Sequence, residues 1–261
     1  MIRCRRLFPW ALLVACAFAV QAPEARAAAE VHKLNLLFSS NPSSLTGREY
    51  RDFVNEWNRR YLEPKDLKGL DAISMGWIHE AELRYFVTPN VAIGAGVGQL
   101  RVESRQEYLP RISQRIELRT NVVSVPVHVG ATYYLAPYNQ GDFRARAYFG
   151  AGVLSATNSK VFFEQLEFNT DTLTTLGGSG RITGRGDAPG YYLEMGAHMW
   201  FATRLSVMLG ATYRSMDVRV LRYETVAVLP DGREIPATPP IRPPSLDLSG
   251  VGVRFAVLFG L

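Results

Sequence analysis

Charged side chains at two-residue spacing are the first candidates for chemistry in this sequence. Glu80, Glu82 and Arg84 occupy alternate positions, as do Arg144 and Arg146, while Glu194, Arg214 and Arg254 stand singly among glycines and apolar residues. In an extended chain, period 2 places such charges on one face. Opposite charges on facing strands can pair, so these eight residues are read as an interior ion-pair network, with a selectivity filter as the alternative. Glu194 and His198 share a face, and His128 lies near Ser124. These four are read as hydrogen-bonded structural residues, and no catalytic residue is assigned. The four histidines fall on separate segments without metal-ligand spacing, and neither a P-loop nor H-E-x-x-H occurs, so no metal or cofactor is expected. Arg185-Gly186-Asp187 lies within GGSGRITGRGDAPG (177–190). That tripeptide can engage adhesion receptors, and its glycines suit a mobile loop; a chance match is the alternative.

The elements that must carry these residues are strands. In NVVSVPVHVGATYYL (121–135), Val123, Val125, Val127, Val129 and Ala131 take one parity, and Ser124, Pro126, His128, Gly130 and Thr132 take the other. The same alternation runs through 31–39, 73–87, 90–100, 143–154, 190–201, 205–214 and 250–261, giving eight strands. One face is apolar throughout, and the other carries glycines and the charges named above. A soluble barrel would turn its bulky apolar residues inward. Eight strands enclose room only for side chains, so glycines leave space for Tyr134, Tyr148 and Tyr192 while the charges pair inside. The apolar face is then the outer one, and its solvent is lipid. The predicted fold is all-β: an eight-stranded antiparallel up-and-down transmembrane β-barrel with a short amphipathic helix in the first surface loop.

Connection lengths give an independent argument. Long gaps at 40–72, 102–115, 157–189 and about 222–245 alternate with short ones at Thr88–Asn90, Ala136–Asp142 and Ala202–Thr203, as expected of surface loops and periplasmic turns. Within 42–70, the first surface loop, Tyr50, Phe53, Val54, Trp57 and Tyr61 have helical spacing over 46–61, with Thr46 and Glu49 as a capping box and Pro64 beyond the end. This helix either packs on the barrel mouth or lies in the outer-leaflet interface. Pro126 removes a ladder donor and is expected at a bulge or kink. His79 shares the lipid-facing parity of Met75, Trp77, Ala81, Leu83 and Tyr85, so a bulge, a boundary depth or an energetic cost is expected there. Trp77 and Tyr85 lie about 20 Å apart along the axis, suiting two aromatic girdles.

The ends of the 261-residue chain carry targeting information. MIRCRR is basic, LFPWALLVACAFAV (7–20) is apolar and Ala25-Arg26-Ala27 offers a cleavage site, so 1–27 reads as a signal peptide and 28–261 as the barrel. Cys4 and Cys16 both fall in that leader, leaving no disulfide; Leu13-Val14-Ala15-Cys16 also resembles a lipobox. Removing four arginines and Glu24 leaves a net charge near +2 instead of +5, which withdraws the compositional support for nucleic-acid binding. No later stretch of 18 apolar residues occurs, so helical spans are not expected.

HEAELRYFVTPNVAIGAGVG (79–98), VPVHVGATYYL (125–135), RAYFGAGV (146–153) and the terminal VGVRFAVLFGL resemble the small outer-membrane β-barrel proteins of Gram-negative bacteria, the OmpA/OmpX/OmpW-like group. The likeness covers most of 31–261 outside the long loops. It implies the cell outer membrane as location, lipid and lipopolysaccharide as surroundings, the barrel-assembly machinery as a partner during insertion, and host or envelope ligands at the surface. It also implies a structural or surface-interaction role, the alternative being a narrow conduit for small apolar solutes. The family's terminal assembly signal is aromatic, whereas this chain ends Phe259-Gly260-Leu261.

Overall fold

Side-chain alternation builds a single sheet in the computed structural model. It describes residues 32–261 apart from 46, 112, 141–142, 173, 177–178, 203, 219–221, 239–240 and 242–244. The leader 1–27, with both cysteines, and Thr46 of the capping box lie outside the described residues. In chain order the elements are β1 (Leu34–Ser44), α1 (Arg48–Trp57), β2 (Met75–Thr88), β3 (Val91–Arg111), β4 (Gln114–Tyr134), β5 (Tyr138–Gln140), β6 (Phe143–Asn169) and β7 (Thr174–Thr175). Then follow β8 (Gly180–Trp200), β9 (Leu205–Val218), β10 (Arg222–Val228), β11 (Glu234–Pro236), β12 (Leu246–Asp247) and β13 (Gly250–Gly260). Among the described residues the strand count is thirteen, not the eight expected. Eight longer strands pair antiparallel in the order β1-β2-β3-β4-β6-β8-β9-β13, and β13 pairs back onto β1, so the sheet is ring-like. The other five are short strands of the connections that pair onto it.

Two expected loops are largely strand. Residues 102–115 continue β3 and β4 up to Arg111 and from Gln114, and 157–189 is mostly the upper part of β6 and β8. The reason lies in a change of polarity at constant parity. On β4, Val127 and Val129 face outward at 42% and 55% exposure while Ser124, His128 and Thr132 are buried. Higher on the same strand Ile116, Leu118 and Val122 are the buried set, and Glu117 and Arg119 look out. On β3, outward Ile93 and Val97 give way to Arg101, Glu103, Arg105 and Glu107, and inward Leu100 replaces the glycines below. The far ends of these strands therefore carry charged residues on the outer face and an apolar side pointing inward.

α1 fills that inward apolar space. Tyr50, Phe53, Val54 and Trp57 are buried against Ile116, Leu118, Val161 and Phe163. The Trp57 ring lies 4.4 Å from that of Phe163, and its Nε1 donates to Gln165 Oε1 at 3.1 Å. Tyr50 and Thr120 share a hydroxyl hydrogen bond of 2.7 Å. The N-cap is Gly47, without a side-chain cap hydrogen bond, and the helix continues as a π turn (Asn58–Leu62) and a 3-10 turn (Glu63–Lys65). Glu49, expected as a capping-box member, instead accepts from the Ser245 backbone at 3.1 Å.

Pro126 sits beside an irregularity: the β4–β6 register shifts between Val123 and Val125. Its β6 side is a bulge around Asn158, which holds φ 51. His79 sits without a bulge in the β2 register. Its Nδ1 lies 3.1 Å from Ser40 Oγ on β1, and it stands opposite Gln99, the first polar outward residue of β3. That combines a polar partner with a boundary position.

Candidate functional site

The interior is layered. At the end nearest the short turns, Leu37, Phe86, Tyr134, Tyr148, Met208 and Leu258 form a buried cluster. At the other end lies the α1 core. Between them, alternation delivers Glu82 and Arg84 from β2, Glu194 from β8 and Arg254 from β13 to one level.

These four form an alternating ring of charge. Arg84 Nε donates to Glu82 Oε1 at 2.7 Å, and Arg84 Nη2 reaches Glu194 Oε1 at 3.3 Å. Arg254 Nη2 donates to Glu82 Oε2 at 2.6 Å, and its Nη1 donates to Glu194 Oε2. Their side chains are 1–4% exposed. Two carboxylates and two guanidiniums leave the ring neutral, and each charge touches two of opposite sign. That arrangement recovers part of the several kcal/mol it costs to take each ion out of water. Neighbours complete it: Tyr134 hydroxyl accepts from Arg84 at 2.9 Å, Thr132 Oγ1 donates to Glu194 at 3.3 Å, and His128 Nε2 stands 3.5 Å from Glu82. The carboxylates need bare backbone beneath them. A Cβ on Gly94 would meet the Glu82 side chain and one on Gly150 that of Glu194, so glycine at these two positions permits the close approach.

Of the eight charges expected in the network, the structure places four in the ring and one beside it. Glu80 lies 3.8 Å from Arg254 and accepts from Ser39 at 3.1 Å and Asn41 at 2.8 Å. Arg214 sits apart, donating to Leu248 O at 2.8 Å and Ser43 Oγ at 3.2 Å. Arg146 serves the turn end, donating to Leu135 O at 2.9 Å, Pro89 O at 2.6 Å and Asn90 Oδ1 at 2.5 Å. Arg144 is exposed at the same end. Met208, whose Sδ lies 3.4 Å from Arg84 Nη1, joins the ring unannounced; parity alone marked it as inward. A cavity of about 40 Å³, room for a few waters, lies among Glu80, His128, Tyr192, Arg214 and Arg254.

Two of the four residues read as hydrogen-bonded structural groups are paired outside the ring. Ser124 bonds Ser159 at 2.9 Å, and His198 Nε2 bonds Ser206 at 2.7 Å while its ring stacks on Trp200 at 3.9 Å. Among the described residues no group of three His, Cys, Asp or Glu could hold a metal ion. Arg185-Gly186-Asp187 is not a mobile loop. It is extended on β8, paired with β6, and Asp187 Oδ1 accepts from the Asn158 backbone at 2.8 Å, capping the bulge. Glycine there accommodates a ladder, not a flexible tip.

No family model matches the chain, and no curated protein sequence does. Solved structures similar to it include Neisserial surface protein A, with 8% identity over 88% of this chain and 97% of that one and a TM-score of 0.40. A major outer membrane protein from Thermus thermophilus shows 9% identity over 87% and 99%, with a TM-score of 0.37. Ail, the attachment invasion locus protein of Yersinia pestis, shows 12% over 88% and 98%, with a TM-score of 0.30.

Proposed function

We propose that this chain is an eight-stranded up-and-down β-barrel of a bacterial outer membrane, exported through residues 1–27, with a non-catalytic structural or surface-interaction role. The observation that carries this reading is the level at which both faces of β3 and β4 exchange polarity. Below it the exterior is apolar while the interior holds the glycines, the ionic ring and the apolar cluster at the turn end, so the outer solvent is hydrocarbon; above it the exterior is charged and the interior apolar, so the outer solvent is water. Outward aromatics support the same band: Trp77, and the Tyr191–Tyr213 pair with centroids 6.1 Å apart, stand towards its upper edge and Tyr85 towards its lower. Among the described residues no helix is long and apolar enough to cross a membrane. The partners on this reading are outer-leaflet lipid, the assembly machinery during insertion, and surface ligands at the α1 end. Placing the role at that end, not in the lumen, rests on the ionic ring, which occupies the level a conduit would need.

Depth labelling tests this. With Cys4 and Cys16 replaced by Ser, single cysteines at Val129 and Val253 should carry spin labels quenched by oxygen in vesicles, and those at Arg105 and Arg119 labels quenched by a water-soluble nickel complex. Water-soluble quenching at Val129 and Val253 would refute the membrane reading.

A further inference from the structure

At the upper margin of the apolar band, the outward face of β1, β2 and β3 carries a polar spot. His79 lies two residues below Trp77 on β2, about 5 Å deeper along the axis at the usual rise and tilt. Ser40 stands opposite it on β1 and Gln99 on β3. Outward and exposed Phe38, Val97 and Phe255 frame the three, so the spot is set into an apolar wall. Only one side of it is satisfied within the chain. His79 Nδ1 is held by the Ser40 hydroxyl at 3.1 Å, and its ring lies 10° from parallel with that of Trp77. His79 Nε2 and the Gln99 amide have no hydrogen-bond partner among the described residues. Hydrocarbon offers them none, and a polar group left unpaired there is costly. The wall around them is also low: Ser40, Pro42 and Ala81 are neighbours in the β1–β2 register, and small side chains let membrane-spanning surfaces approach closely.

The geometry points to a contact between two copies of this chain within the membrane, made by the β1–β3 wall, in which His79 of each copy hydrogen-bonds Gln99 of the other. A two-fold axis along the membrane normal maps every depth onto itself, so a second copy presents the same donor and acceptor at the same level. Each bond is then made twice. The Gln99 amide suits either histidine tautomer, since its oxygen accepts from a protonated Nε2 and its NH2 group donates to a bare one. Acyl chains offer neither group, and a headgroup reaches this level only by being drawn below the Trp77 ring. The inference goes beyond the surface role proposed above and rests on its membrane reading.

The test uses the full chain with Cys4→Ser and Cys16→Ser in phosphatidylcholine vesicles, each copy labelled at one added cysteine. It reads energy transfer between donor- and acceptor-labelled copies as the protein-to-lipid ratio rises. Labels at Arg101→Cys, on the proposed wall, should give saturable transfer, and labels at Lys160→Cys, on β6 across the ring, should give less at the same ratio. His79→Leu and Gln99→Leu should each need about tenfold more protein for half-saturation. His79→Gln keeps a donor and an acceptor and should stay close to the parent. If His79→Leu does not fold, Gln99→Leu, which only adds apolar surface facing lipid, carries the comparison alone. Transfer that never exceeds random proximity assigns the spot to headgroups or water and overturns the dimer, while leaving the membrane reading intact. Saturable transfer that neither leucine variant displaces, or that is strongest from Lys160→Cys, overturns this wall as the contact. A chain that does not insert into the vesicles refutes the membrane reading itself, and the interface with it.

Discussion

Glu194 holds two corners of the ionic ring, facing Arg84 and Arg254 at once. Glu194→Gln leaves two buried guanidiniums facing a single ring carboxylate, and such uncompensated charge costs roughly 3–5 kcal/mol. Urea unfolding from vesicles should show that loss, whereas Arg144→Gln, at an exposed position, should change stability by about 0.5 kcal/mol or less. Equal effects of the two would remove the ring from any account of stability. Tyr50 offers a pH handle outside the band. Burial pushes its phenol up to about 12, against the pull of the Thr120 hydroxyl. The folded protein thus holds that proton more tightly than the unfolded loop, whose phenol titrates near about 10. Docking of α1 has full stability below about pH 10 and loses it as pH climbs towards 12. With Trp10, Trp77 and Trp200 replaced by Phe, Trp57 fluorescence should report this, and Tyr50→Phe should carry the docked signal to higher pH; identical curves would refute it. Parity told which charges look inward for seven of the eight, exposed Arg144 excepted, but not how deep each lies. Arg84, Arg146 and Arg214 share a face and end at different levels with different partners, because depth depends on register with strands remote in sequence.

At the scale of elements, α1 was legible from its 50, 53, 54, 57 and 61 spacing, and its destination was not. Packing on the mouth and lying in the leaflet need the same apolar stripe; only the inward apolar residues of the strand tops decide. Trp57 is 7% exposed and wedged against Phe163. Trp57→Ala should weaken docking by about 3–5 kcal/mol, so brief protease treatment should cut within 46–72 while the strands stay intact. A loop as resistant as wild type would show that the helix is held by something else. The strand tops themselves were hidden because a strand is recognised by its apolar alternation. Arg101, Glu103, Arg105 and Glu107 alternate faithfully, yet with charges outside, and so read as loop.

For the whole molecule, the stacked interior bears on transport. An apolar cluster, an ionic ring and a helix-filled cup succeed one another along the axis. In planar bilayers the protein should therefore give no stepwise conductance, and the alternative role as a conduit would return if discrete channels appeared and vanished with Glu194→Gln. The apolar exterior and polar interior were legible from residue types alone because hydrocarbon and water select opposite partitions of the same two-residue repeat. Ligand and partner were not, since nothing about that partition depends on what the outer end touches.

The seam between first and last strands gives the ring a further property. Three of its members lie on β2 and β8, and Arg254 lies on β13, the strand that pairs back onto β1. Slippage by two residues at closure would carry that guanidinium roughly 7 Å along the strand, beyond reach of both carboxylates. Correct alignment is thus reported from within: β13 is the strand whose misplacement leaves a net negative trio in a dry interior.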